Sequence, residues 1–361
     1  IRQLKDAGGM SAVKETRLWQ PENPYRMDGA SPPLPATATV GRNPSNGAVI
    51  YYSLNSKPAA DVVLEFLDAS GKSIQKFTAK APPKAAPAPV AAGAAQASPT
   101  VMPGAVQAIP TPEQAQTASG EESEGPGGGR APRVTTEVGL NRFVWDLRYP
   151  EAVRFPGMIL WAGETRGPRV VPGTYQVKLT VDGKTTSQNF EVKPDPRLTT
   201  SPADYAKQLE LGLKIRDKVS ETHNAIIQIR DVRKQVDELL KRLAGQPSFK
   251  VVNEAATGLK KNLADVEESL YQTKNQSSQD PLNFPIRLNN KLAALAGVVQ
   301  SADAAPTDQS YAVYDELVVQ IDAQLARLTQ IMKTDIPAFN QLVRQQNIPA
   351  VTVKPSGITA P

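Results

Sequence analysis

The sequence predicts a multidomain chain, all-β and then all-α: an immunoglobulin-like β-sandwich followed by an antiparallel helical bundle. Two observations carry that reading. Apolar residues alternate with a period of two up to residue 192, and beyond residue 201 they recur at three- and four-residue spacing. Between those stretches, Pro194 and Pro196 end the last strand, because proline cannot donate to a ladder.

In chain order, residues 1–34 hold the apolar anchors Leu4, Leu18, Trp19 and Tyr25 in a polar, proline-rich setting, which reads as a surface connector. Asn43-Pro44-Ser45-Asn46-Gly47 is a dense turn signal, and residues 48–54 read as the first sandwich strand. Val62, Leu64 and Phe66 alternate in a second strand; Asp68-Ala69-Ser70-Gly71 turns into a third with Ile74 and Phe77. Residues 81–132 shift to Ala, Pro, Gly, Ser and Gln, with an acidic patch at Glu121, Glu122 and Glu124. That composition cannot offset its conformational entropy by burial, so it predicts a disordered insertion within the sandwich.

The β pattern resumes at Val134, and Phe143, Trp145 and Leu147 share one strand face. Residues 148–169 form an irregular crossover. Phe155, Met158, Leu160 and Trp161 in it are the candidate partner surface, weighed against packing over the end of the sandwich. Tyr175, Val177, Leu179 and Val181 give a strand, Asp182-Gly183 a tight hairpin turn, and Phe190 and Val192 the return. The sandwich is thus assigned residues 35–80 and 133–196, with about seven strands.

Ser201 as N-cap, Pro202 at the first helical position and Asp204 in the first turn open the helical half. Leu211, Ile215, Val219, Ile226, Ile229, Val232, Val236, Leu239 and Leu243 form its first stripe, and Gly245 and Pro247 stop it. A second helix spans about residues 249–273, and residues 275–280 form a polar connector. A third helix is expected from Leu282 through Val299, entered at Pro285. A fourth begins near Thr307, kinked or restarted at Pro337. Residues 197–353 are the bundle and 354–361 a tail. The change of period predicts two separate folding units that meet near residues 194–201, with a small interface.

Composition excludes several function classes. With no cysteine there are no disulfides or thiolate metal sites, and the net charge of +5 comes from interspersed charges without a basic, aromatic-laced nucleic-acid footprint. No apolar run is long enough to span a bilayer. The opening Ile1-Arg2-Gln3-Leu4 lacks a starting Met and a signal peptide, which points to a mature or truncated chain.

A single histidine, His223, cannot assemble a catalytic triad or a multi-histidine metal site; placed mid-helix between Val219 and Ile226, it reads as structural or surface-exposed. Glu267-Glu268 and Asp315-Glu316 read as solvated helix faces rather than a glycosidase pair. Gly127-Gly128-Gly129 lacks the ending of a phosphate loop and reads as linker. The expectation is therefore no catalytic, cofactor-binding or metal site and no cofactor.

Three motifs carry a resemblance: Asn43-Pro44-x-Asn46-Gly47-Ala48-Val49-Ile50-Tyr51-Tyr52, residues 141–150 (Asn-Arg-Phe-Val-Trp-Asp-Leu-Arg-Tyr-Pro), and Val171-Pro172-Gly173-Thr174-Tyr175. Here the chain resembles the C-terminal part of large bacterial BNR-repeat, sortilin-like (Vps10-like) proteins, often labelled glycosyl hydrolases. In that family a β-propeller precedes an immunoglobulin-like domain and a helical region. Residues 280–292 look similar to the family's helical segment, and Leu18-Trp19-x-Pro21 with Tyr25-Arg26 looks like the propeller exit. The resemblance implies export, to the periplasm or beyond.

The leading expectation is a non-enzymatic protein-interaction or scaffolding segment whose partners are proteins, its own propeller among them, with no nucleic acid and no transmembrane segment. One rival is the accessory region of a hydrolase whose catalytic residues lie on a propeller. Another is a carbohydrate-binding sandwich that stacks sugars on Trp145, Trp161 or Tyr149, with Trp145 better explained as core. Replacing most of residues 81–132 by a short Gly/Ser link should leave the melting temperature within about 5 °C, since shortening a loop lowers its closure entropy; scanning calorimetry of the deletion variant checks this.

Overall fold

A computed structural model describes residues 2–6, 8–9, 15–27, 45–81 and 133–348. The glycine run, most of the predicted insertion and the tail lie outside the described residues, as do residues 28–44. The described chain is mixed α and β: a short helix α1 (Arg2–Asp6), strands forming two sheets, and then helices to the end.

The strands are β1 (Arg17–Leu18), β2 (Tyr25–Arg26), β3 (Ala48–Leu54), β4 (Val62–Leu67), β5 (Ser73–Ala79), β6 (Gly139–Trp145), β7 (Gly173–Val181) and β8 (Lys184–Pro194). One sheet has the order β1-β3-β6 and the other β2-β8-β7-β4-β5. All pairings are antiparallel except β2 with β8, where Tyr25 and Arg26 lie parallel to Lys193 and Pro194. Alternation puts Ile50, Tyr52, Leu64, Phe66, Phe143, Trp145, Val177, Leu179 and Val192 into one apolar cluster fed by both sheets. The β7–β8 turn takes Asp182 at φ 47° and Gly183 at φ 77°, the left-handed pair a two-residue hairpin needs. Asp182 is held there by accepting from the amides of Ala59 and Ala60 through Oδ1.

The connector reading is corrected by β1 and β2. Leu18 enters the sheet core, Trp19 is buried with Nε1 donating to Ser53 Oγ at 2.8 Å, and Arg26 is buried as well. Two-residue strands suffice because they extend existing sheet edges instead of forming a new sheet.

The helices are α2 (Pro202–Leu243), α3 (Phe249–Leu270), α4 (Leu288–Val299), α5 (Asp308–Lys333) and α6 (Asp335–Gln345). Ser201 caps α2 by accepting from the Asp204 amide at 3.2 Å, and Thr307 caps α5 by accepting from Ser310 at 3.2 Å. The helix expected from Leu282 begins only at Leu288. Pro285 disfavours helical geometry at Phe284, residues 280–282 make one 3-10 turn, and Leu282 is exposed. The chain restarts at Asp335, which puts Pro337 in the first turn of α6, where its missing amide costs nothing.

The helices share a second apolar cluster that includes Ile215, Ile226, Leu259, Leu263, Leu292 and Ile321. Ala152 and Phe155 also belong to it, although they precede the helices by about fifty residues of chain. Trp145 is fully buried; its ring stacks on Phe66 at 4.4 Å and meets Tyr175 and Phe190 edge-on. Trp145→Ala should cost roughly 3–5 kcal/mol, read from urea unfolding.

Candidate functional site

The crossover at residues 148–169 is a long irregular stretch that is described throughout, and its two ends are clamped together. Tyr149 N donates to Pro168 O at 2.9 Å and Val170 N to Leu147 O at 2.7 Å. The clamp forces Gly167: a Cβ there would lie 2.0 Å from Tyr149 O. What lies between is a strap, and it runs across the helices, not over the end of the sheets.

A strap without its own ladder must have its amides and carbonyls satisfied by neighbours, and helical side chains supply the partners. Ser220 accepts from Val153 N at 3.1 Å, and His223 Nδ1 donates to Val153 O. Arg216 and Arg230 donate to the carbonyls of Pro150 and Pro156. Tyr271 Oη accepts from Ile159 N at 3.1 Å and donates to Gly157 O at 3.3 Å. Asn290 pairs with both backbone groups of Trp161 at 2.7 Å, as a neighbouring strand would, and Glu164 N donates to Ala293 O. Phe155 fills the slot between, edge-on to His223 and Tyr271 at 5.1 and 5.0 Å, with the Arg230 guanidinium over its ring at 4.6 Å.

The candidate partner residues therefore separate. Phe155 is buried in the helical core, Met158 and Leu160 are half-buried against it, and Trp161 alone is exposed, at 39 %. Of the two readings weighed for these four residues, a partner surface and packing over the end of the sandwich, Phe155, Met158 and Leu160 follow packing, but against the helices, whose apolar stripes are wide enough to take the strap. Of the stacking candidates, Trp145 is core and Tyr149 packs against the sheet cluster.

His223 is wholly buried. It donates through Nδ1, and its Nε2 accepts from Asn289 Nδ2 at 3.2 Å, which fixes the neutral ring. Burial holds its pKa below the usual histidine range, helped by Arg154, while the Val153 bond works the other way. Glu267 was expected on a solvated face; it is instead buried, taking Arg230 on one oxygen and Arg233 on the other, each at 2.7 Å. Glu268, Asp315 and Glu316 are exposed, as expected.

Arg26 is the second organising group. Nη1 donates to Val170 O, Nη2 meets Gln208 Oε1 at 2.5 Å and Asp303 Oδ1 at 3.0 Å, and the guanidinium lies over the Tyr205 ring at 4.7 Å. Gln208 in turn donates to the carbonyls of Val299 and Ala302. Burial lowers the Arg26 pKa, and Asp303 opposes that. Nearby, Arg148 donates to Gly167 O and Gln300 Oε1; burial first, then Arg166 and Arg169, lower its pKa to about 10.

This chemistry is cohesive. It ties segments of one chain together and offers no activated nucleophile, and no metal-binding group of three or more His, Cys, Asp or Glu side chains occurs among the described residues. Among them, no helix is long and apolar enough to cross a membrane. No family model, curated protein or solved structure matches the chain.

Sequence reasoning missed Arg26, Arg148, Arg230, Tyr271 and Asn289-Asn290. The one available signal was two amides beside Leu288 and Leu292 on an apolar helix, where a polar side chain needs a partner. Arg26→Ala should destabilise the protein by about 3–5 kcal/mol because it strands Asp303 in the interior. Arg26→Lys should recover little of that, since an ammonium cannot bridge three acceptors in one plane. Denaturant titration of both variants checks the pair.

Proposed function

We propose that the chain is a non-catalytic interaction or scaffolding segment of an exported bacterial protein of the BNR-repeat, sortilin-like kind. Its two sheets form an immunoglobulin-like sandwich, its helices form an antiparallel bundle, and its partners are proteins, a propeller of the same polypeptide among them. One observation carries the reading: the polar and aromatic side chains a binding cleft would use are spent on internal ties. Arg26, Arg148, His223, Arg230 and Asn290 each join the helices to chain outside them. A body whose parts are held at a set angle suits a scaffold, which must present surfaces in a constant arrangement. The sheets' common apolar core and the motifs at residues 43–52 and 141–150 support the sandwich and the family assignment.

An accessory role beside a hydrolytic propeller fits the same geometry and differs only in what the rest of the polypeptide does. Carbohydrate stacking is left with Trp161 and the half-buried Tyr149. The chain should turn over neither polysaccharides nor peptides, followed by reducing-end release and by mass spectrometry. It should also give no glycan-array signal that Trp161→Ala removes. Turnover by this chain would overturn the reading, and a Trp161-dependent glycan signal would replace it with carbohydrate binding.

A further inference from the structure

The solvent side of α2 carries a charged groove. Arg230, Arg233, Lys234, Asp237, Glu238 and Lys241 line it, an open depression of about 330 Å³. Their spacing of three and four residues stacks them along one side of the helix over about 16 Å. At one end Arg230, Arg233 and Lys234 lie within about one turn of each other. The groove has four cations against Asp237 and Glu238; Glu267 beneath it adds one negative charge, and Lys260, bonded to Asp237 at 2.6 Å, adds one positive, which leaves an excess of two.

One arginine can answer a buried carboxylate such as Glu267 in full, through two parallel hydrogen bonds. Here Glu267 takes two arginines, one nitrogen from each: Arg230 Nε and Arg233 Nη1, both at 2.7 Å. Neither fork is closed by that. Arg230 spends Nη1 on Pro156 O, and its Nη2 makes no hydrogen bond among the described residues, while Arg233 keeps both Nε and Nη2. The two side chains are 36 % and 37 % exposed, so the open donors reach solvent from a fixed base. Glu267 holds both guanidiniums in place, and the Phe155 and Tyr271 rings, 4.6 and 5.4 Å away, seat that of Arg230. Lys234 stands 4.0 Å from Glu238, which leaves its ammonium available, and Lys241 has no ion pair among the described residues.

We propose that this groove binds a small phosphorylated molecule of the sugar monophosphate class, with the phosphoryl group on the open donors of Arg230, Arg233 and Lys234. Two excess positive charges match a phosphoryl dianion, and its three terminal oxygens give each of the three cations a partner. A carboxylate has one charge and two oxygens and leaves one cation unanswered. The groove is several times longer than a phosphoryl group, and its remainder offers Asp237 and Glu238, whose oxygens accept from sugar hydroxyls. Binding here needs no partner protein and no catalytic group, so it is independent of the scaffolding role.

Isothermal titration of the intact chain tests this, with inorganic phosphate, a glucose monophosphate and glucose as probes, at about pH 8, where a phosphate monoester is a dianion. Both phosphates should bind saturably, the glucose monophosphate more tightly and with a dissociation constant of about 1 mM or below, and glucose should not bind. Arg233→Gln leaves Glu267 its bond from Arg230 and should weaken the sugar phosphate about tenfold. Lys234→Gln should do the same, and since that side chain is largely exposed the fold is kept. Lys214→Gln removes an equal charge from the same helix outside the groove and should change the affinity less than about twofold. Failure of both phosphates to bind would overturn the site, and so would equal weakening by Lys214→Gln, the mark of diffuse attraction to a basic surface. Equal affinity for free phosphate and the sugar phosphate would overturn the sugar assignment, and preference for a tetraglutamate peptide would replace it with an acidic partner.

Discussion

A buried guanidinium sets the geometry of this protein. Arg26 cannot lose its charge at any ordinary pH, and its burial is tolerable only with Asp303, Gln208, Val170 O and the Tyr205 ring all in place. Those partners belong to the end of the sheets, to α2 and to the loop between α4 and α5, so satisfying one side chain fixes the mutual position of all of them. Its Nε has no partner, so the other two nitrogens make all of its hydrogen bonds. Surface pairs such as Lys214–Glu210, both partners more than half exposed, are screened by water and decide nothing comparable.

The strap follows from the same rule applied to the backbone. A loop pressed against helices finds no ladder, and each buried carbonyl and amide needs a side chain aimed at it. That is why Ser220, His223 and Asn290 occupy helix positions which an unburdened apolar stripe would give to leucine or valine, and why Tyr271 stands at the end of α3. The helices are thus shaped by a segment that precedes them in sequence, and their core is completed by Ala152 and Phe155. The two apolar clusters remain distinct, one under the sheets and one among the helices, and what joins them is polar. Close contact between α2 and the strap confirms how tightly the parts are seated: a Cβ on Gly212 would come within 2.9 Å of Pro168.

Local physics made much of this legible in one dimension. The period-two runs of β4, β6 and β7 were readable because alternate side chains of a strand face opposite sides, and β3 because a dense turn signal precedes its apolar run. The β7–β8 turn was readable because Asp-Gly tolerates left-handed angles, and the start of α2 because Ser201-Pro202 caps and primes a helix. The burial of Trp145 followed from its sharing a face with Phe143 and Leu147. Leu282 misled because a leucine in helical register counts toward a stripe even where Pro285 prevents the helix from reaching it.

Tertiary structure alone decided where the irregular chain goes and which polar groups are buried. Composition marked residues 148–169 as a crossover with large side chains, but whether it lay over the sheets or the helices depended on partners far away in sequence, such as Tyr271 and Asn290. The roles of Arg26, Glu267 and His223 were hidden for the same reason: a charged or titratable side chain has no periodicity of its own, and its burial is set by what other segments bring to it. The sequence by itself determined the order and type of the longer elements, from β3 onward, which depend on neighbours a few residues apart. The joining of sheets to helices depends on contacts far apart in sequence, Arg26 with Gln208 and Arg148 with Gln300 among them, and these exist only once the chain has folded.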